Sequence, residues 1–141
     1  MTVQEVIPHR PPFLLIDSII AAARGEFAVS TRHVLESDPV FSGHFPGFAV
    51  YPGVLVLENM AQTACYVLAS EDLAADAGAE KPLYVLARVN QCTFSRMVRP
   101  GEQLRTEARL IRRVAQFAQF SCESQANGAI VAKADLLVAS R

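Results

Sequence analysis

Along the C-terminal half of the chain, apolar and polar residues alternate with the period of an antiparallel sheet. In residues 102–112, Leu104, Thr106, Ala108 and Leu110 interleave with Gln103, Arg105, Glu107 and Arg109, as a strand with one face on a core and one in water requires. Strand-like runs also cover residues 83–94, 115–125 and 129–139, with turn signals at Arg99-Pro100-Gly101 and Asn127-Gly128. Near the N-terminus, residues 13–23 and 27–35 form a similar pair around Arg24-Gly25-Glu26. Between the two groups the period changes. Residues 53–70 are apolar at most positions, and Glu58, Asn59, Gln62 and Thr63 form one narrow polar stripe, so a buried helix is predicted there. Two strands, one helix and four strands specify an α+β fold whose antiparallel sheet wraps a long central helix.

Composition narrows the function classes. The chain has 141 residues, 51% of them hydrophobic, which suits one domain over residues 1–141. A net charge of -1 provides no general field for nucleic acid. No glycine-rich phosphate loop follows a strand, and no apolar run reaches the length of a membrane span. The N-terminus lacks the basic and apolar stretches of a secretory signal, so a cytoplasmic location is expected. Cys65, Cys92 and Cys122 lack metal or disulfide spacing and read as reduced, packed thiols. The three histidines also lack close ligand spacing, so no metal is expected.

Candidate chemistry lies between the sheet segments. Residues 36–52 hold three prolines and two glycines, which discourages regular structure and permits tight turns. Within them, Gly43-His44-Phe45-Pro46-Gly47 precedes Pro52-Gly53 and the helix that carries Glu58. An imidazole and a carboxyl therefore bracket a helix start, whose free N–H groups and positive dipole end suit an oxygen that becomes negative. Loss of water from a 3-hydroxyacyl thioester needs these parts. His44 is assigned as base, since an ordinary imidazole with a pKa of about 6.5 keeps a useful neutral fraction. Glu58 is assigned as acid, because an apolar setting penalises its ionised form. The amides of Gly53 and Val54 are expected to hold the carbonyl. Taken singly, neither side chain identifies a catalyst, since a loop histidine is commonly solvated and a polar helix stripe commonly faces water. Gln62, four residues after Glu58, either holds that carboxyl or packs structurally. His9 and His33 read as structural, His9 as part of a turn.

Together, IPHRPPFLLID at 7–17, GHFPG at 43–47, YPGVLVLENMAQ at 51–62 and FSRMVRPGEQL at 94–104 closely resemble the FabZ type of (3R)-hydroxyacyl-acyl carrier protein dehydratase. The resemblance runs nearly end to end. It implies a hotdog fold, catalysis by His44 and Glu58, and carbonyl binding at Gly53. It implies a homodimer, with a trimer of dimers left open, in which each site takes histidine and glutamate from different subunits. An apolar tunnel is implied at the interface, with Phe41, Phe45, Val54, Leu57 and Leu86 as lining candidates against a plain core role. The substrate would arrive on the phosphopantetheine of acyl carrier protein, without a further cofactor. Arg96, Arg99, Arg112 and Arg113 are the candidate docking patch for that acidic carrier.

The chain departs from the family pattern at Pro11, Ala49, Asn59, Arg88, Ser95 and Met97, which leaves acyl length and carrier open. A specialised lipid or polyketide pathway stands beside housekeeping fatty-acid synthesis. Alternative activities are a hotdog thioesterase, an isomerising dehydratase and a noncatalytic acyl-binding scaffold.

Overall fold

The computed structural model describes residues 2–78, 80 and 82–141. In chain order the elements are α1 (Val3–Val6), β1 (Ser18–Ala23), β2 (Phe27–His33), a 3-10 turn (Pro39–Ser42), α2 (Gly53–Ala75), β3 (Tyr84–Phe94), β4 (Gln103–Val114), β5 (Phe117–Ala126) and β6 (Ala129–Ser140). The strands form one antiparallel sheet in the order β1-β2-β4-β5-β6-β3, with α2 across its inner face. This is the α+β hotdog arrangement that the periodicity and the family resemblance predict.

Alternation decides which sheet face meets the helix. On β5, Ala118, Phe120, Cys122, Ser124 and Ala126 are buried, and Leu104, Thr106 and Ala108 continue that layer on β4. The β5–β6 hairpin closes on Asn127 (φ 51°) and Gly128 (φ 73°), two successive left-handed residues that match the twist of the flanking strands. From Asn59 to Ser70 every residue of α2 is buried. The polar stripe therefore does not face solvent. Thr63 bonds Ser30 of β2 at 2.7 Å and the Asn59 carbonyl at 2.8 Å, while Asn59 and Gln62 are met by the backbone of Leu15.

Two boundaries differ from the sequence reading by five residues each, the others by two or fewer. The helix runs on to Ala75, since residues 71–75 contain no helix breaker. The first strand begins only at Ser18, because residues 13–16 turn inward, bury Leu14, Leu15 and Ile16, and give their main chain to α2. Strand β3 is different again. It lies at a sheet edge, and Val85, Leu86 and Phe94 are all exposed in the single chain.

Candidate active site

Local hydrogen bonding makes the histidine loop rigid. Asp38 caps the 3-10 turn by accepting from Val40 N at 2.9 Å, and His44 N then donates to Val40 O at 3.1 Å. Phe45 to Phe48 make a type II turn, with Pro46 supplying its fixed φ, Gly47 at φ 78°, and Phe48 N donating to Phe45 O at 3.0 Å. The chain returns so that Val50 N reaches His44 O at 3.0 Å and His44 Nδ1 lies 2.8 Å from Val50 O. A carbonyl only accepts, so Nδ1 carries the hydrogen and Nε2 keeps its lone pair. The imidazole stacks on Phe45, with ring centroids 4.0 Å apart.

Past this loop the helix begins without a side-chain cap. Leu55 N and Val56 N both donate to Pro52 O, whereas the amides of Gly53 and Val54 have no acceptor among the described residues. Gly53 allows close packing: a Cβ there would lie 3.0 Å from the Phe94 ring. Beside it opens a cavity of about 660 Å³, lined by residues that include Tyr51, Gly53, Val56, Phe94, Met97 and Val131. An apolar space at open helix donors can take an acyl chain with its carbonyl at the donors.

Glu58 is held one turn further along. Gln62 Nε2 donates to Glu58 Oε2 at 2.9 Å and to Phe13 O at 2.8 Å, while Gln62 Oε1 accepts from Leu15 N at 2.8 Å. Asn59, on the same stripe, donates to Leu15 O at 2.7 Å. Sequence spacing makes the Glu58–Gln62 pair visible but not the 13–15 backbone that locks it. Spacing also does not show His9 near this carboxyl, where its Nε2 lies 4.0 Å from Glu58 Oε2. The proline-bounded PHRPP segment reads locally as a turn, and nothing in that composition reports a contact with a helix nearly fifty residues on.

Among the described residues, no hydrogen bond or ion pair joins His44 to Glu58. Of the lining candidates, Phe41 belongs to the core and Leu57 packs against it, whereas Phe45, Val54 and Leu86 are exposed in the single chain. His33 is exposed at the end of β2. The four arginines do not make one patch. Arg96 and Arg99 precede β4 and Arg112 and Arg113 end it, so the pairs are separated by nearly the whole strand, about 30 Å. Arg96 is paired with Glu102, Arg99 lies 4.4 Å over the Phe48 ring, and Arg113 bonds Tyr84, Glu71 and Asp72. No group of three His, Cys, Asp or Glu among the described residues is placed to hold a metal ion.

All three cysteines are free. Burial pushes the Cys65 thiol up to about 12 and raises that of Cys122 as well, so both stay protonated and unreactive at neutral pH. Among the described residues, no helix is long and apolar enough to cross a membrane.

Residues 7–135 match the FabA-like domain family. A 3-hydroxyacyl-[acyl-carrier-protein] dehydratase FabZ of Polynucleobacter asymbioticus is 38% identical over 137 residues, covering 97% of this chain and 89% of that protein. The protein of the same name from Oceanobacillus iheyensis is 37% identical over 138 residues, covering 97% and 94%. Among solved structures, a chain of the dehydratase heterocomplex ApeI:P from Xenorhabdus doucetiae superposes with a TM-score of 0.83 at 19% identity, covering 100% of this chain and 91% of that one, a likeness of fold.

Proposed function

Because the chain belongs to the FabA-like family, we propose that it removes water from 3-hydroxyacyl groups carried on acyl carrier protein, with His44 as base and Glu58 as acid. It is a hydro-lyase of fatty-acid synthesis acting as one hotdog domain over residues 1–141. The observation that carries the residue assignment is the 2.8 Å contact of His44 Nδ1 with Val50 O, which reserves Nε2 for the substrate. Nε2 takes the proton from the carbon beside the thioester carbonyl, and that electron pair forms the new double bond. The C3–O bond breaks as Glu58 protonates the departing hydroxyl, which leaves as water. Meanwhile the Gly53 and Val54 amides hold the carbonyl oxygen as it gains negative charge.

A homodimer completes this reading. In one chain His44 and Glu58 make no contact, while β3 leaves a long edge with Val85, Leu86 and Phe94 exposed. Such an edge demands cover. Pairing of two copies through β3 buries it and lets the histidine of one copy meet the glutamate of the other over a shared apolar channel that includes Phe45, Val54 and Leu57. The carrier's phosphopantetheine enters beside Arg96, which lines the cavity, with Arg99 three residues on, and no other cofactor takes part. Placement in the cytoplasm belongs to the same reading.

Hydration of crotonyl thioester and dehydration of 3-hydroxybutyryl thioester, followed by mass, test the assignment. His44→Ala and Glu58→Gln each lower the rate by about a hundredfold or more with the dimer intact. Near-normal rates in both variants would place the chemistry elsewhere, and thiol release without interconversion would make the protein a thioesterase.

A further inference from the structure

A hydrogen-bond donor and an imidazole nitrogen both face one oxygen of Glu58. Gln62 Nε2–H lies 2.9 Å from Oε2, and His9 Nε2 approaches the same atom at 4.0 Å. His9 Nδ1 is buried and has no partner among the described residues. A buried N–H without an acceptor is costlier than a buried lone pair without a donor, so the hydrogen of the neutral ring belongs on Nε2, facing Glu58. Burial lowers the pKa of His9 from its ordinary value, Glu58 opposes that and Arg10 reinforces it, so the ring stays neutral near pH 7.

We infer that His9 is a positioning residue for Glu58: together with Gln62 it reserves Oε2 as an acceptor, so that Oε1 is the oxygen that holds and delivers the proton. The inference rests on the acid role proposed for Glu58 and adds to it the atom and the partner. A gap of 4.0 Å is longer than a hydrogen bond, and catalytic contacts often tighten from such distances when substrate binds. When Oε1 gives up its proton, the carboxylate that results is met by two donors at once. The remaining titratable groups beside the pair are Cys65 on α2, whose thiol stays neutral, and Arg10 beyond His9.

A donor at Oε2 favours the carboxylate that forms when Oε1 delivers its proton, so loss of that donor makes Glu58 a weaker acid.

The test compares His9→Ala and His9→Gln as full-length enzyme at pH 7. In His9→Ala, kcat falls about tenfold and KM hardly changes. His9→Gln, which restores a neutral donor, recovers most of the rate. An unchanged kcat in His9→Ala, or a loss of rate that His9→Gln does not recover, overturns the inference. Nitrogen chemical shifts of His9 in the unaltered protein provide a check independent of folding, because a hydrogen on Nδ1 overturns it and one on Nε2 supports it. Glu58→Gln separates the two levels: full activity there defeats the acid assignment, whereas a normal His9→Ala defeats only the role of His9.

Discussion

The two ends of α2 are built to opposite ends of one physical scale. At its start, Pro52 offers no side-chain cap, the Gly53 and Val54 amides are open, and Val54 is 71% exposed. At its finish, Glu71 and Asp72 place negative charge where the helix dipole is already negative, and Arg113 from β4 answers them at 3.4 and 3.5 Å. Arg113 also donates to Tyr84 of β3 at 2.9 Å, and Tyr84 in turn bonds Asp72. Burial, reinforced by that carboxylate, pushes the Tyr84 phenol up to about 12. One end is thus tied to two strands. The other keeps its donors unspent, which is the condition for binding a developing negative charge.

Breaking the lock behind the open end has the largest effect. Gln62→Leu strands the buried Leu15 N–H and the Phe13 carbonyl and releases Glu58, so it destabilises the protein by about 3 kcal/mol in urea titration and lowers kcat as well. An unchanged midpoint would mean that the polar stripe is not the anchor of the 13–15 segment.

Next comes the cavity wall. Glu102 accepts from Arg96, from Arg99 N at 2.7 Å and from Asn127 at 2.7 Å, and the Arg96 contact holds its carboxyl below the ordinary carboxylate range. A depressed folded pKa contributes stability above the unfolded value of about 4.3 that is lost as pH falls below it. Glu102→Gln therefore costs about 2 kcal/mol at pH 7 and much less near pH 3. Equal cost at both pH values would show that charge is not what holds residues 96–99.

The smallest effect belongs to the closed end. Arg113→Ala removes contacts that are a third exposed and lowers stability by about 1 kcal/mol or less, with kcat unchanged. A fall in kcat would show that the two ends are coupled and would blunt the contrast between them.

Much of this was legible in the chain. Leu104 to Leu110 announced a half-solvated strand, Asn127-Gly128 its hairpin, and the apolar run after Gly53 a buried helix. His44 and Glu58 stood out because their flanking Pro-Gly pairs mark a rigid turn and a helix start. The stripe of Asn59, Gln62 and Thr63 was harder to read: polar residues on a helix usually meet water, and here they meet the backbone of residues 13–15 and a serine on β2. Charge along the sequence likewise does not reveal that Arg96 and Arg99 precede β4 while Arg112 and Arg113 lie at its far end.

Periodicities of two and of about 3.6 residues are local properties, so the order of letters alone determined the strands, the turns, the helix and the two groups suited to acid/base work. Which partner each buried polar group finds depends on segments far apart in the chain, and no local pattern encodes it. Only the folded arrangement decided that Leu15 and Phe13 hold Gln62, that His9 approaches Glu58, and that the start of α2 stays open while its finish is bound. The physical reason is that a buried donor or acceptor must be matched in three dimensions, and the match is made by whichever backbone the sheet brings near.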